Sequence, residues 1–230
     1  RVIVGMSKAT RTLTLVGTLA LAALAGAGSP AQSSEPARAR HYMIATANPH
    51  ASRAGLAMLR RGGSAVDAAI ASQLVLNLVE PQSSGIGGGA FMLAYDAEAR
   101  VVHAYDGRET APAAVTPDLF LKADGKPMAF YDAVIGGRAV GVPGLVAMLE
   151  MAHQRHGRLP WAALFEPAIT LAEAGFAVSP RLHQLIAGSK GVDRFDTARA
   201  YFFTAEGAPK PVGTRLVNPA FAATLRAIAA

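Results

Sequence analysis

At 230 residues, 51% hydrophobic and 17% charged, the chain has the composition of a globular core, or part of one, and not of a disordered or low-complexity protein. The formal charge of +6 is no nucleic-acid footprint: five basic residues and one acid precede His41, and beyond it 17 basic residues face 15 acidic ones, with no Lys/Arg run interleaved with aromatics. The absence of cysteine removes disulfides, thiolate zinc sites and a cysteine nucleophile.

Met6, Ser7, Lys8 and Arg11 lead into TLTLVGTLALAALAGAG, Thr12 to Gly28, with small residues at Ala25-x-Ala27. A short basic region, an apolar stretch and small residues before a cut are the pattern of a secretory signal peptide. Met6 is the expected start, and the product is expected to be exported, periplasmic or extracellular. The apolar core falls short of the ~20 residues that a span needs, so no stable membrane span is expected. SPAQSSEPARAR, Ser29 to Arg40, reads as a disordered leader. Residues 1–40 are thus signal and leader, and 41–230 the folded body.

From Tyr42 a short apolar run turns at Asn48-Pro49. SRAGLAMLRRGG reads as a helix stopped by Gly62-Gly63. SAVDAAIASQLVLNLVEP has Ser64 as N-cap and Asp67 in the acid-favouring first turn. Its apolar residues surround the cylinder, so a buried helix ending before Pro81 is expected. AFMLAYD and ARVVHAYD then read as a β-hairpin, Ala90–Tyr95 paired with Arg100–Tyr105. TPDLFL, with Thr116 as cap and Pro117 at the first position, reads as a short helix. Further helices are expected from about Pro143 to His156, stopped by Gly157, and from Pro160 to Ala174, stopped by Gly175, the second with a kink or break at Pro167. SPRLHQLIAGS starts a helix at its Ser179 cap, and NPAFAATLRAIAA starts one at Asn218. The chain stops inside that last helix with no glycine, proline or polar tail, so 230 residues are not expected to be the whole domain.

Gly85 to Ala90, GIGGGA, matches the dinucleotide fingerprint G-x-G-x-x-[G/A], and Asp106 lies 21 positions after Gly85. Such a fingerprint must follow a strand and open a helix, because the pyrophosphate sits on the helix N-terminus. Here the glycines follow a helix and open a strand, and the 16 residues between Gly89 and Asp106 are occupied by the hairpin. The glycines instead serve a tight turn or a close approach of chain or ligand. His153 and His156, three apart, read as dipole-favoured surface histidines near a helix end, not a metal pair. Ser83 and Ser84 lack the G-x-S-x-G elbow and read as turn serines. YDGRETAP, Tyr105 to Pro112, lies where the second strand ends, a common position for ligand contacts. Arg108 offers a planar fork of donors that suits a carboxylate, and Asp106 and Glu109 could orient it. The rival reading of these residues is a structural Arg–Glu pair at a turn.

These residues resemble the gamma-glutamyltranspeptidase family. GGSAVDAAIASQLVLNLVEPQSSGIGGGAFML, Gly62 to Leu93, is similar to its N-terminal block, and DGRETAP to its Arg-Glu-x-Ala-Pro motif. GVPGLVAML and LPWAALFEPAITLAEAGFAVS follow in family order, and the likeness runs from about Tyr42 to the last residue. The resemblance implies an α/β fold, the N-terminal-nucleophile hydrolase-type four-layer αββα sandwich, incomplete in this chain. It also implies a precursor that cuts itself into a large and a small subunit. The new N-terminal Thr of the small subunit would attack gamma-glutamyl amides, glutathione and other gamma-glutamyl compounds, and pass the acyl group to an amino acid, a peptide or water. A free α-amino group can serve as base beside such a nucleophile. Arg108 matches the family's arginine for the substrate α-carboxylate, while Glu109 aligns with the motif acid and receives no catalytic role. No cofactor or metal is implied. No Thr-Thr-His-x-Ser-like processing site occurs in these residues, so the nucleophile is expected outside them, no catalytic residue is assigned here, and residues 1–230 alone are expected to be inactive and poorly folded. Two alternatives share the same residues: a cephalosporin (β-lactam side-chain) acylase of the same fold, and a non-catalytic domain that binds amino acids through Arg108.

Overall fold

The computed structural model describes residues 36–230, and the expected signal segment and most of the leader lie outside the described residues. The chain divides into two units, Arg1–His41 and Tyr42–Ala230. Residues 36–41 are exposed and carry no helix or strand.

The second unit begins with two packed helices. α1 (Pro49–Arg60) starts earlier than its apolar spacing suggests, because the turn at Asn48-Pro49 is itself the cap: Asn48 Oδ1 accepts from His50 N at 3.0 Å, with Pro49 in the first turn. α2 (Ala65–Val79) opens on a capping box. Ser64 Oγ accepts from Asp67 N at 3.0 Å, and Asp67 Oδ2 accepts from Ser64 N at 2.7 Å. The same Oδ2 also accepts the backbone N–H of Arg158 at 2.9 Å and of Leu159 at 3.2 Å. A fully buried carboxylate thus ties the start of α2 to a connection some ninety residues away.

β1 (Phe91–Asp96) and β2 (Val101–Asp106) form the expected hairpin within one residue at each end, antiparallel with Met92 opposite Tyr105 and Ala94 opposite His103. These four side chains point toward the helices, and Tyr105 joins the core. The opposite face carries Phe91, Leu93, Tyr95 and Val102, all exposed. Thr116–Leu121 is not the expected helix. It is a pair of turns, with Leu119 N on Thr116 O at 3.1 Å and Leu121 N on Asp118 O at 2.8 Å, after which Leu121 bridges Pro127. Phe120 and Leu121 are exposed, so no buried face holds so short a helix, which is marginal by itself.

After α3 (Phe130–Val134), α4 (Leu145–His156) and α5 (Trp161–Ala174) run as expected. α5 does not break at Pro167: one backbone hydrogen bond is forgone there, while Leu164, Phe165, Ala168 and Ala172 are buried around it. Gly175, at φ +84°, ends the helix in backbone that side chains rarely adopt. Short strands β3 (Phe176–Ala177) and β4 (Arg215–Leu216) pair across α6 (Pro180–Gly188) and α7 (Asp196–Phe202), and α8 (Pro219–Ala229) packs against α5. Trp161 Nε1 donates to Ile228 O at 3.2 Å between those two helices. One core joins α1, α2, α4, α5, α6 and α8, with Met58, Ile70, Leu74, Leu149, Leu164, Phe165, Leu182 and Leu225 fully buried. Each such side chain contributes roughly 1.5–3 kcal/mol over its exposed state.

His153 and His156 are not surface histidines. His153 Nε2 lies 2.8 Å from Leu159 O and 3.7 Å from Asp67 Oδ1, and its ring packs against Trp161. His156 Nε2 bonds Tyr105 Oη at 2.8 Å and so joins α4 to the hairpin. Among the described residues no helix is long and apolar enough to cross a membrane, and no cluster of three or more His, Asp or Glu could hold a metal.

Candidate functional site: an arginine cleft at a strand end

β2 ends at Asp106, whose Oδ1 accepts Arg108 N at 2.9 Å and turns the chain out of the hairpin. Gly107 is still paired with Ala90, through bonds of 2.9 and 3.3 Å, and Thr110 bridges Val142. Arg108 and Glu109 are therefore presented by a short segment fixed at both ends. The glycine run makes room for Glu109. A Cβ on Gly89 would lie 2.6 Å from Glu109 Oε2 and 2.6 Å from Gly107 O, and one on Gly141 would lie 2.9 Å from Glu109 Cβ. Gly88 O accepts Gly144 N at 3.2 Å and Leu145 N at 3.1 Å, which serves the start of α4 where no side chain caps it. The glycines thus admit a carboxylate side chain and a neighbouring helix end.

Gly89→Ala is expected to destabilise the folded protein by about 1–3 kcal/mol, the usual cost of overpacking. Gly85 has open space around it, so Gly85→Ala is the control. Denaturant midpoints of the two variants measure the difference, and equal midpoints would contradict the packing of Glu109 against the glycines.

Arg108 Nη1 lies 3.4 Å from Glu109 Oε2, with the arginine side chain 70% exposed and the glutamate 29%. Glu109 Oε2 itself has no hydrogen-bond partner among the described residues. Both side chains line a cleft of about 590 Å³, whose other walls are the 81–90 loop, α2 and Arg181. Such a volume lies inside the usual range of small-molecule sites, about 300–1,000 Å³.

The floor of this cleft departs from the sequence reading. α2 is buried, but it is not apolar all round: Gln73, Asn77 and Glu80 follow one another at helical spacing on one side. Gln73 Nε2 donates to Ser84 Oγ at 2.6 Å and to Asn77 Oδ1 at 2.9 Å, and Ser84 Oγ donates to the same Asn77 oxygen. Glu80, just past the helix end, accepts from Asn48 Nδ2 at 2.9 Å and from Gln82 Nε2 at 2.6 Å, and Arg181 Nε lies 3.3 Å away. Ser84 is engaged with two amides and no base, so it is an anchor of the loop and not a nucleophile. The signal for this stripe was in the sequence, as Gln73, Asn77 and the capping residue Glu80 at spacing i, i+4 and i+7 in a segment made mostly of Ala, Val, Leu and Ile.

Helices packed on one face of a strand pair, with a carboxylate-suited arginine at the strand end, make an incomplete α/β arrangement, and the solved structures it matches are of the N-terminal-nucleophile hydrolase type. The profile of the gamma-glutamyltranspeptidase family matches residues 51–230, and the chain belongs to that family. It is 42% identical over 187 residues to the glutathione hydrolase proenzyme of Bacillus subtilis (strain 168), covering 81% of this chain and 32% of that protein. It thus spans about a third of the length of that relative. The gamma-glutamyltranspeptidase of Helicobacter pylori has the same arrangement, with a TM-score of 0.79 at 31% identity over 84% of this chain and 55% of that one. A cephalosporin acylase from Bacillus halodurans is similar at a TM-score of 0.69 and 32% identity, over 86% of this chain and 38% of the acylase.

Proposed function

We propose that the full-length protein carrying this chain transfers gamma-glutamyl groups from glutathione-like amides to amino acids, peptides or water. Arg108 is the observation that carries this reading: it is exposed at a strand end, braced by Glu109, open to a polar cleft, and set in the family's Arg-Glu-x-Ala-Pro motif. In this scheme Arg108 takes the α-carboxylate of the gamma-glutamyl group. A Thr hydroxyl from a segment outside these residues attacks the γ-carbonyl, the amide C–N bond breaks, and the amine leaves with a proton. The Thr ester then passes its acyl group to an amine or to water. The Thr arises by self-cleavage of a precursor, as the N-terminus of a small subunit. The apolar outer face of the hairpin supports a further strand layer packed against it in the four-layer sandwich. An acylase acting on β-lactam side chains has less support: the matching family model and the curated relatives are those of gamma-glutamyltranspeptidases and glutathione hydrolases, and the solved acylase matches at a TM-score of 0.69 against 0.79 for the Helicobacter pylori transpeptidase.

Export completes the proposal, on the basic and apolar pattern from Met6 to Gly28. The purified full-length protein, given a gamma-glutamyl amide and a dipeptide acceptor, is expected to release the amine and form the gamma-glutamyl dipeptide, read by mass spectrometry. Neither product appearing would reject the transferase and hydrolase reading together.

A further inference from the structure

Arg108 is not the only guanidinium in the cleft. Arg181, in the first turn of α6 behind the Ser179 cap, lines the same cavity. The two arginines are built alike. Each is largely exposed, and each rests against a carboxylate that lies deeper than itself: Glu109 beneath Arg108, and beneath Arg181 the 5% exposed side chain of Glu80.

Glu80 does not depend on Arg181 for its hydrogen bonds, because Asn48 and Gln82 already donate one to each oxygen. Arg181 meets Glu80 through Nε at 3.3 Å, and among the described residues its two Nη groups make no hydrogen bond. A guanidinium held by one edge on a buried carboxylate, with the other edge open to a polar cavity, presents a preorganised fork for a second anion. With Arg108 on the α-carboxylate, an anion held by Arg181 in the same cavity would belong to another part of the same substrate.

We propose that Arg181 binds a carboxylate on the leaving amine, so that the cleft selects gamma-glutamyl peptides with a free C-terminal carboxylate over gamma-glutamyl amides of neutral amines. This rests on the function proposed above and adds a substrate class to it. The rival is that Arg181 only balances the buried charge of Glu80.

Full-length wild type, Arg181→Gln and Arg181→Lys are assayed on a gamma-glutamyl dipeptide and on its C-terminal carboxamide. The wild type is expected to prefer the free acid. In Arg181→Gln the free-acid to carboxamide ratio of kcat/KM should fall about tenfold or more, mainly through KM, as loss of a charge-assisted contact does. Arg181→Lys should lie between them. An unchanged ratio, including equal loss on both substrates, would assign Arg181 to the structural pair. Wild type that turns over neither substrate would overturn the functional reading and this proposal with it, whereas turnover of both with an indifferent Arg181 removes only the proposal. Should Arg181→Gln strand the Glu80 charge and fail to fold, the Arg181→Gln/Glu80→Gln double variant removes both charges and reads the same ratio.

Discussion

Arg108→Lys in the full-length protein is expected to lower kcat/KM for gamma-glutamyl amides ten- to hundredfold, and Arg108→Ala further still. The guanidinium can make two charge-assisted hydrogen bonds to one carboxylate, each contributing roughly 1.5–3 kcal/mol net. Lysine keeps the charge but makes about one such bond, and ~1.4 kcal/mol corresponds to a factor of ten. Alanine loses both and leaves a partly desolvated carboxylate without a partner, so two to four orders of magnitude are expected on the same ~1.4 kcal/mol scale. The surroundings of Arg108 support an effect on the ligand and not on the fold. Its side chain is largely exposed, its ion pair among the described residues is with Glu109 at 3.4 Å, and the segment that bears it is fixed by the backbone pairs of Gly107 and Thr110. Self-cleavage into subunits should therefore survive both substitutions, as a gel would show.

The opposite pattern is expected for Asp67. Asp67→Ala should destabilise the protein by roughly 3–5 kcal/mol while removing nothing from the cleft, because buried donors left without an acceptor cost about 1–3 kcal/mol each. Three backbone N–H groups, of Ser64, Arg158 and Leu159, converge on its fully buried carboxylate. Asp67→Asn keeps an acceptor oxygen and the volume but loses the charge, and should cost about half as much on the same reasoning. Urea denaturation of the three proteins measures both steps. A loss below about 1 kcal/mol for Asp67→Ala would mean that water replaces the carboxylate and that the tie between α2 and the α4–α5 connection is weak.

Features set by neighbouring residues could be read before folding. The Ser64, Ser179 and Asn218 caps each bond a backbone N–H three residues on, and the hairpin lies within a residue of its alternating pattern. Arg108 was placed at a strand end, and the sequence order of helix, glycines and strand was enough to set aside a nucleotide site. Features that arise between distant segments were not readable. β3 and β4 are two residues each, and they pair only because Phe176 and Leu216 share one buried site. Glu80 and Arg181 meet across a hundred residues, so neither shows a partner in its own segment. His153 looked like an exposed helix-end histidine because Asp67, Leu159 and Trp161 come to it from elsewhere. Thr116–Leu121 has helix-start residues, but a six-residue helix needs a packing surface, and none is present there.

The account turns on the partner of Arg108, and paired substrates identify it. kcat/KM is measured for wild type, Arg108→Lys and Arg108→Ala on a gamma-glutamyl amide and on the analogue whose α-carboxylate is replaced by hydrogen. Wild type should prefer the carboxylated substrate strongly, and the preference should shrink in Arg108→Lys and nearly vanish in Arg108→Ala. Loss by the same factor on both substrates, or accumulation of uncleaved precursor, would make Arg108 one half of a structural pair with Glu109 and contradict its role in binding the substrate.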